Sequence, residues 1–260
     1  MAMDFHDPRN KGSYRTRVAD QSWRETVSSI ISFPVEKAAD IGCGGGIYTK
    51  ALAELGSRVV YGIDQSEVSL SDGEKTCREL SQVFFQKGEA YSTGLEENSF
   101  DLVLERALVH HLDDLGQCFT EVERVLKPGG VVLVQDRTPD DCFLPGSDTH
   151  LRGHIFECFP LLKEVEKQRR YTSEQVIRAL HDAGLSRVRE VTLWEMRRTY
   201  SGKEELRQDL SGRIGRSILH ELDDDELQYL VDYIDQQLDD GPLVEKDRWT
   251  IWIAEKGDKI

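Results

Sequence analysis

No two of the five cysteines, Cys43, Cys77, Cys118, Cys142 and Cys158, form a Cys-x-x-Cys pair, and their number is odd. That pattern excludes a disulfide framework and a structural zinc site, leads us to expect no metal, and fits a reducing cytoplasm. Long apolar runs are also missing. No stretch of about 18 apolar residues can span a bilayer, and Met1 to Asn10 is polar, without the apolar segment of an export signal. The expectation is therefore a chain that is neither exported nor membrane-spanning. Basic residues are in deficit, 33 Lys and Arg against 48 Asp and Glu, giving a formal charge of -15. Nucleic-acid binding rests on neutralising phosphates with Lys and Arg, so no nucleic-acid partner is expected. Low-complexity tracts are absent, and 260 residues suffice for one large domain or a domain carrying an insertion.

What is present is a regular alternation of short strands and helices. Val18, Trp23, Val27, Ile30 and Ile31 fall at helical spacing and predict an amphipathic helix over 14–31, ended by Phe33-Pro34. A strand over 37–41 runs into Gly42-Cys43-Gly44-Gly45-Gly46, a helix over 48–55 closes at Gly56, and a strand over 58–63 is followed by a helix over 66–80. Strands over 82–86, 100–105 and 131–135 follow, with a helix over 113–126 stopped by Lys127-Pro128-Gly129-Gly130. Such alternation implies an α/β fold whose parallel sheet is covered on both faces. Residues 137–171 lack clear periodicity. A helix over 172–183, a strand over 185–194 and a last strand over 248–254 resume the pattern. A hairpin between those two strands needs only two to five residues. We therefore divide the chain into an N-terminal helical segment, 1–35, a core, 36–195 and 248–260, and a helical cap inserted at 196–247.

Open parallel sheets bind ligands at the carboxyl ends of their strands. There, Gly42, Gly44 and Gly46 permit a tight bend and close approach of backbone to ligand, while Cys43 lines the turn as a small residue. By itself this is an ordinary strand-to-helix turn as readily as a binding loop. A dinucleotide fingerprint requires glycine at 47, where this chain has Ile. Asp40, two residues before the first glycine, repels a pyrophosphate and attracts an ammonium group. Asp64, with Gln65 after it, ends the second strand where a carboxylate can accept two hydrogen bonds from ribose hydroxyls. In Gly88-Glu89-Ala90, Glu89 can accept from an adenine amino group while the Ala90 N–H donates to the ring. Three successive strand ends thus offer acidic acceptors, which suits a cationic amino-acid nucleoside better than a phosphate.

These residues, together with Ser99-Phe100-Asp101-Leu102-Val103-Leu104, Ala107-Leu108-Val109-His110-His111-Leu112 and Glu123-Arg124-Val125-Leu126-Lys127-Pro128-Gly129-Gly130, resemble the class I S-adenosylmethionine-dependent methyltransferases. The likeness is greatest to the branch that serves ubiquinone and menaquinone biosynthesis, and it covers about residues 36–136. It implies a Rossmann-like seven-stranded sheet in the order 3-2-1-4-5-7-6 with the last strand antiparallel. It also implies a glycine loop that cradles the methionine part, Asp64 on the ribose and Glu89 with Ala90 on the adenine. Glu89 stands where Asp is more usual in the family.

Further candidates follow from position. The backbone of Glu105 and Arg106 borders the reacting end of the cofactor, and Tyr14, with Arg17 and Trp23, belongs to a helix that can close over it. His110 and His111 are candidate proton acceptors near neutral pH; packing on the sheet or bonding to a loop carbonyl is the ordinary alternative. Arg137 is a candidate ligand for an acidic group on the acceptor, or else pairs with Asp140 or Asp141. Arg197, Arg198, Arg207, Arg213 and Arg216 with Tyr200 read either as an anion clamp or as a face paired with Glu204, Glu205 and Asp209, and Trp249 and Trp252 read as packing residues. The expected activity is transfer of the methyl group of S-adenosylmethionine to a small-molecule acceptor, leaving S-adenosylhomocysteine; a homodimer is allowed. Two other readings stay open: a nicotinamide-dependent oxidoreductase on a related fold, and a catalytically silent nucleoside-binding protein.

Overall fold

The computed structural model describes residues 18–257. Tyr14 and Arg17 lie outside the described residues. Elements occur in the order α1 (Gln21–Ile30), β1 (Val35–Ile41), α2 (Ile47–Leu55), β2 (Ser57–Asp64), α3 (Glu67–Thr76), β3 (Val83–Lys87), β4 (Phe100–Arg106), α4 (Leu115–Val125) and β5 (Leu126–Asp136). Then come α5 (Pro139–Cys142), α6 (Leu151–Cys158), α7 (Leu162–Gln168), α8 (Ser173–Asp182), β6 (Leu185–Tyr200), α9 (Lys203–Ser211), α10 (Asp224–Gln237) and β7 (Leu243–Lys256). The strands form one sheet in the order β3-β2-β1-β4-β5-β7-β6, as the family resemblance implied. β1 pairs in parallel with β2 and β4, β2 with β3, and β4 with β5, whereas β7 runs antiparallel to β5.

Packing divides the chain into two compact units. In the larger, which holds 18–137, 171–193 and 249–257 of the described residues, side chains alternate between two apolar layers. Ala38, Leu102, Leu104, Leu133, Ile251 and Ile253 pack with Trp23 and Val27 of α1 and Leu52 of α2. Their neighbours Ala39, Val103, Val132, Val134, Trp252 and Ala254 pack with Phe119 and Val122 of α4 and Leu180 of α8. Helix starts follow local chemistry. Asp20 caps α1 by accepting from the Trp23 amide, and Thr172 forms a capping box with Gln175 on α8. α1 begins at Gln21, where the Asp20 side chain accepts from the Trp23 amide; of the helix expected over 14–31, residues 14–17 lie outside the described residues.

The smaller unit is built from 138–170 and 194–248 around its own core, which contains Leu151, Phe156, Leu206, Leu219, Leu230 and Ile234. Here the structure departs from the sequence-based division. The stretch over 137–171 forms the short helices α5, α6 and α7 and packs with the segment expected to be a cap by itself. Helices of four to eight residues carry too few turns for an apolar period to show. β6 and β7 also outrun expectation, at 16 and 14 residues.

Candidate functional site

The larger unit's carboxyl strand ends bring the expected residues to one edge. Asp40 pairs with Gly62 in register and Ile41 with Ile63, while Asp64 pairs with Lys87, so the ends of β1, β2 and β3 are adjacent. The chain leaves β1 through a bend held by main-chain bonds: the amides of Gly42 and Cys43 both donate to the Ile63 carbonyl, at 2.8 and 3.0 Å, and the Gly46 amide to the Cys43 carbonyl at 3.0 Å. Gly46 has φ +78, a left-handed conformation that costs an L side chain energy, and a Cβ there would sit 2.9 Å from the Gly73 Cα. A Cβ on Gly44 or Gly45 would meet nothing within 4 Å among the described residues, so this part of the bend fronts space that they leave open.

Asp64 ties the bend to β2. Its Oδ2 accepts from the Gly44 amide at 2.9 Å and its Oδ1 from the Ser66 amide at 2.8 Å. Each carboxylate oxygen has a second lone pair, so both remain able to accept from hydroxyl groups. Asp40 is more enclosed than sequence reasoning foresaw. It is 2% exposed, and Thr49 of α2 donates to its Oδ2 at 2.6 Å. Burial pushes its acid strength down, raising its pKa to about 6, against the opposing influence of Thr49 and of the Arg106 cation. Cys43 is buried at the bend, its thiol raised in pKa chiefly by burial and so unreactive. Gly88 donates its amide to the Asp64 carbonyl at 3.2 Å, and a Cβ there would meet the Thr93 carbonyl oxygen at 2.5 Å. Glu89 and Gln65 are exposed, and Ala90 packs on the apolar layer that holds Phe119 and Val122.

At the end of β4 successive side chains diverge. Glu105 is fully buried, accepts from the Cys118 thiol at 3.0 Å and leaves its Oε2 without a partner among the described residues. Burial pushes its pKa to about 7. Its carboxyl group therefore belongs to the contact with α4, even though its backbone lies at the strand end. Arg106 stacks its guanidinium on Tyr48, 4.0 Å from the ring centroid, and on Trp249, at 4.4 Å. Arg137 stacks on the same Trp249 ring at 4.4 Å. Tyr48 in turn meets Trp23 edge-on at 4.9 Å, and the Trp23 indole N–H donates to Gln135 at 2.8 Å. Sequence reasoning missed this column. Trp249 read as packing, and the one available signal was the aromatic and cationic content of the strand ends.

The chain then turns sharply at Ala107, φ +53, into a short 3-10 turn, Val109–His111. Backbone strain of this kind costs about 1–3 kcal/mol and gathers at functional sites. His110 lands against Asp136 at the end of β5: its Nδ1–H donates to Oδ2 at 2.7 Å, and its amide to the same oxygen at 3.3 Å. His111 is exposed, its ring centroid 3.9 Å from that of His110. A buried carboxylate that holds Nδ1 fixes the tautomer and leaves Nε2 as the proton-accepting nitrogen.

The arginines of the smaller unit have other work. Arg216, 3% exposed, meets Asp209 at 2.5 Å and Glu245 at 2.6 Å; Arg197 joins the same two carboxylates, and Arg198 pairs with Asp209 and with Glu205. Tyr200 donates to Glu245 at 2.7 Å, Arg207 pairs with Asp232 and Arg213 with Asp224. Of the proposed partners, Asp209 and Glu205 are engaged; Arg197, Arg216, Asp209 and Glu245 form a buried network, whereas Arg198 with Glu205, Arg207 with Asp232 and Arg213 with Asp224 pair at or near the surface.

Known proteins resemble this chain over part of its sequence and in its fold. Residues 39–134 match the family described as "Methyltransferase domain". A ubiquinone biosynthesis O-methyltransferase of Methylococcus capsulatus is 38% identical over 99 residues, covering 37% of this chain and 41% of that protein. The chain thus spans about two-fifths of that relative. Two solved structures share the fold. One is a Haemonchus contortus phosphoethanolamine N-methyltransferase 2 in complex with phosphomonomethylethanolamine and S-adenosylhomocysteine, with TM-score 0.58, 20% identity, and coverage of 95% of this chain and 56% of that one. The other is the [4+2]-cyclase SpnF, with TM-score 0.55, 20% identity, and coverage of 91% and 80%. The resemblance read from the motifs over 36–136 therefore falls on the stretch that the family match covers.

Proposed function

We propose that this protein transfers the methyl group of S-adenosylmethionine to a small-molecule acceptor and releases S-adenosylhomocysteine. The observation that carries this reading is the bond from the Gly44 amide to Asp64, which joins an open glycine bend to a carboxylate at the next strand end. That donor set fits the cofactor: Asp64 accepts from ribose hydroxyls, Glu89 and the Ala90 amide face the adenine, and the bend from Gly42 to Gly46 takes the amino-acid part beside Asp40. A nicotinamide cofactor is disfavoured, since Asp40 repels a pyrophosphate and Ile47 stands where its fingerprint needs glycine.

When bound, the cofactor supplies an electrophilic methyl on a sulfonium, so no covalent nucleophile is required of the protein. The chain's task is alignment, with reacting atoms near 3 Å apart, an effect worth up to about 7–11 kcal/mol. His110 takes the proton of an acceptor hydroxyl or ammonium at Nε2, and Asp136 is its positioning residue through Nδ1. The cytoplasm is the compartment for this chemistry. All five cysteines are free thiols, and no helix of the described residues is long and apolar enough to cross a membrane.

Calorimetry with S-adenosylhomocysteine tests the reading. Saturable binding is expected, weakened at least tenfold by Asp64→Ala in protein that keeps its melting temperature; the absence of any heat in the wild-type chain would sink it. Release of S-adenosylhomocysteine during an acceptor screen tests turnover, and His110→Ala is expected to lower kcat by about a hundredfold with the cofactor affinity within twofold. The shared fold of a [4+2]-cyclase favours a second reading, a nucleoside-binding protein that transfers no methyl group. Tight cofactor binding with no turnover on any acceptor supports it.

A further inference from the structure

We infer that Tyr91 is a positioning residue that ties the turn presenting Ala90 to the segment carrying His110, so that a bound nucleoside orders the base. This rests on the proposed methyl-transfer reading and adds how the cofactor end and the acceptor end of that site communicate. Glu89 and Ser92 close a tight turn through two main-chain bonds: the Glu89 amide donates to the Ser92 carbonyl at 3.1 Å and the Ser92 amide to the Glu89 carbonyl at 3.0 Å. Ala90 and Tyr91 form the tip of that turn, so neither moves far without the other. The Tyr91 hydroxyl oxygen accepts from the Asp113 amide at 3.0 Å and from the Asp114 amide at 3.2 Å, which uses both of its lone pairs. Its ring packs on the same apolar layer as Ala90.

The segment from His110 to Asp114 is held at three points. His110 is bonded to Asp136 through its ring and its amide, the Leu112 carbonyl accepts from the Tyr171 hydroxyl at 2.6 Å, and Asp113 and Asp114 donate to Tyr91 at the start of α4. Only His111 and Leu112 separate His110 from Asp113, and their amides are bonded within the turn to the carbonyls of Leu108 and Val109. A displacement at Asp113 is therefore passed on to His110, because there is no slack chain to absorb it. The turn also begins against the glycine bend, since a Cβ on Gly42 would meet the Leu108 Cδ1 at 2.8 Å. Asp113 and Asp114 are exposed, so water satisfies their amides once the phenol is removed. Loss of the hydroxyl thus falls on the coupling more than on folding.

Hydrogen exchange followed by NMR on the full-length protein, with and without S-adenosylhomocysteine, tests the coupling and needs no acceptor. In wild type, S-adenosylhomocysteine is expected to slow exchange of the His110, His111 and Leu112 amides by about tenfold, although the bonds to Tyr91 fall on Asp113 and Asp114. Tyr91→Phe keeps the ring and is expected to bind S-adenosylhomocysteine with comparable affinity, yet to lose this slowing. Tyr171→Phe, which frees the Leu112 carbonyl and leaves the Glu89 to Ser92 turn untouched, is expected to keep it. A merely structural tyrosine would change exchange equally in the presence and absence of S-adenosylhomocysteine. Slowing that persists in Tyr91→Phe overturns the inference, as does slowing lost to the same extent in Tyr171→Phe. Wild-type protein that binds S-adenosylhomocysteine without slowing these amides overturns this inference alone, and a failure to bind overturns the methyl-transfer reading with it.

Discussion

Glu105 is a carboxyl group that the fold has sealed away, with one oxygen bonded to the Cys118 thiol and the other buried without a hydrogen-bond partner among the described residues. Its ordinary pKa of 4.5 is raised to about 7 by burial. Between those values the folded chain keeps a proton that the unfolded chain has lost, so stability falls as pH rises through that window and the full cost is present above 7. Glu105→Gln cannot ionise and its amide oxygen still accepts from Cys118. We expect the variant to be more stable than wild type by up to about 3 kcal/mol at pH 8 and equal to it at pH 4, measured by urea unfolding at both values. A gain of the same size at pH 4 would show that burial of the charge is not its cause. His110 shows the converse. Its neighbour Asp136 lies 26 residues away in sequence, so a His-His pair could be noticed in the chain but the carboxylate that gives one of them a task could not.

At the scale of elements, three glycines enclose the ring of Phe85 on β3. A Cβ on Gly73 of α3 would meet it at 2.5 Å, one on Gly62 of β2 at 2.6 Å and one on Gly46 at the bend at 3.0 Å. Alanine in a helix interior ordinarily improves on glycine by about 1 kcal/mol, yet overpacking costs about 1–3 kcal/mol, and the enclosed ring has no open side toward these elements. Gly73→Ala is therefore expected to lower the melting temperature and, by pressing the ring toward Gly46, to weaken S-adenosylhomocysteine binding. Adding Phe85→Leu is expected to recover part of both losses. Additive losses in the double variant would separate the glycine from the ring. The strands and their glycine bend were legible because their periods and spacings are local. Gly73 was not, since a lone glycine in a helical stretch signals nothing until its neighbour across the layer is known.

Across the whole molecule, charge is handled in two ways. Acidic residues such as Glu96, Asp225 and Asp239 stand exposed, but the smaller unit keeps Asp209 and Glu245 buried against Arg216, Arg197 and Arg198. Removing one partner of such a group strands the others, at about 3–5 kcal/mol. Arg216→Met is expected to destabilise the protein by that amount in urea, and a change below about 1 kcal/mol would mean the network behaves as a surface pair. By itself the sequence determined the parallel sheet, the placement of Asp40, Asp64 and Glu89 at its strand ends, and the family likeness, because side-chain period and motif spacing act over a few residues. Only the tertiary structure decided that 138–170 packs with 194–248, that Asp136 takes His110, and that Trp249 joins Arg106 to Arg137. Those contacts unite segments far apart in the chain, and short-range pattern carries no record of which distant surfaces will meet when apolar area is buried.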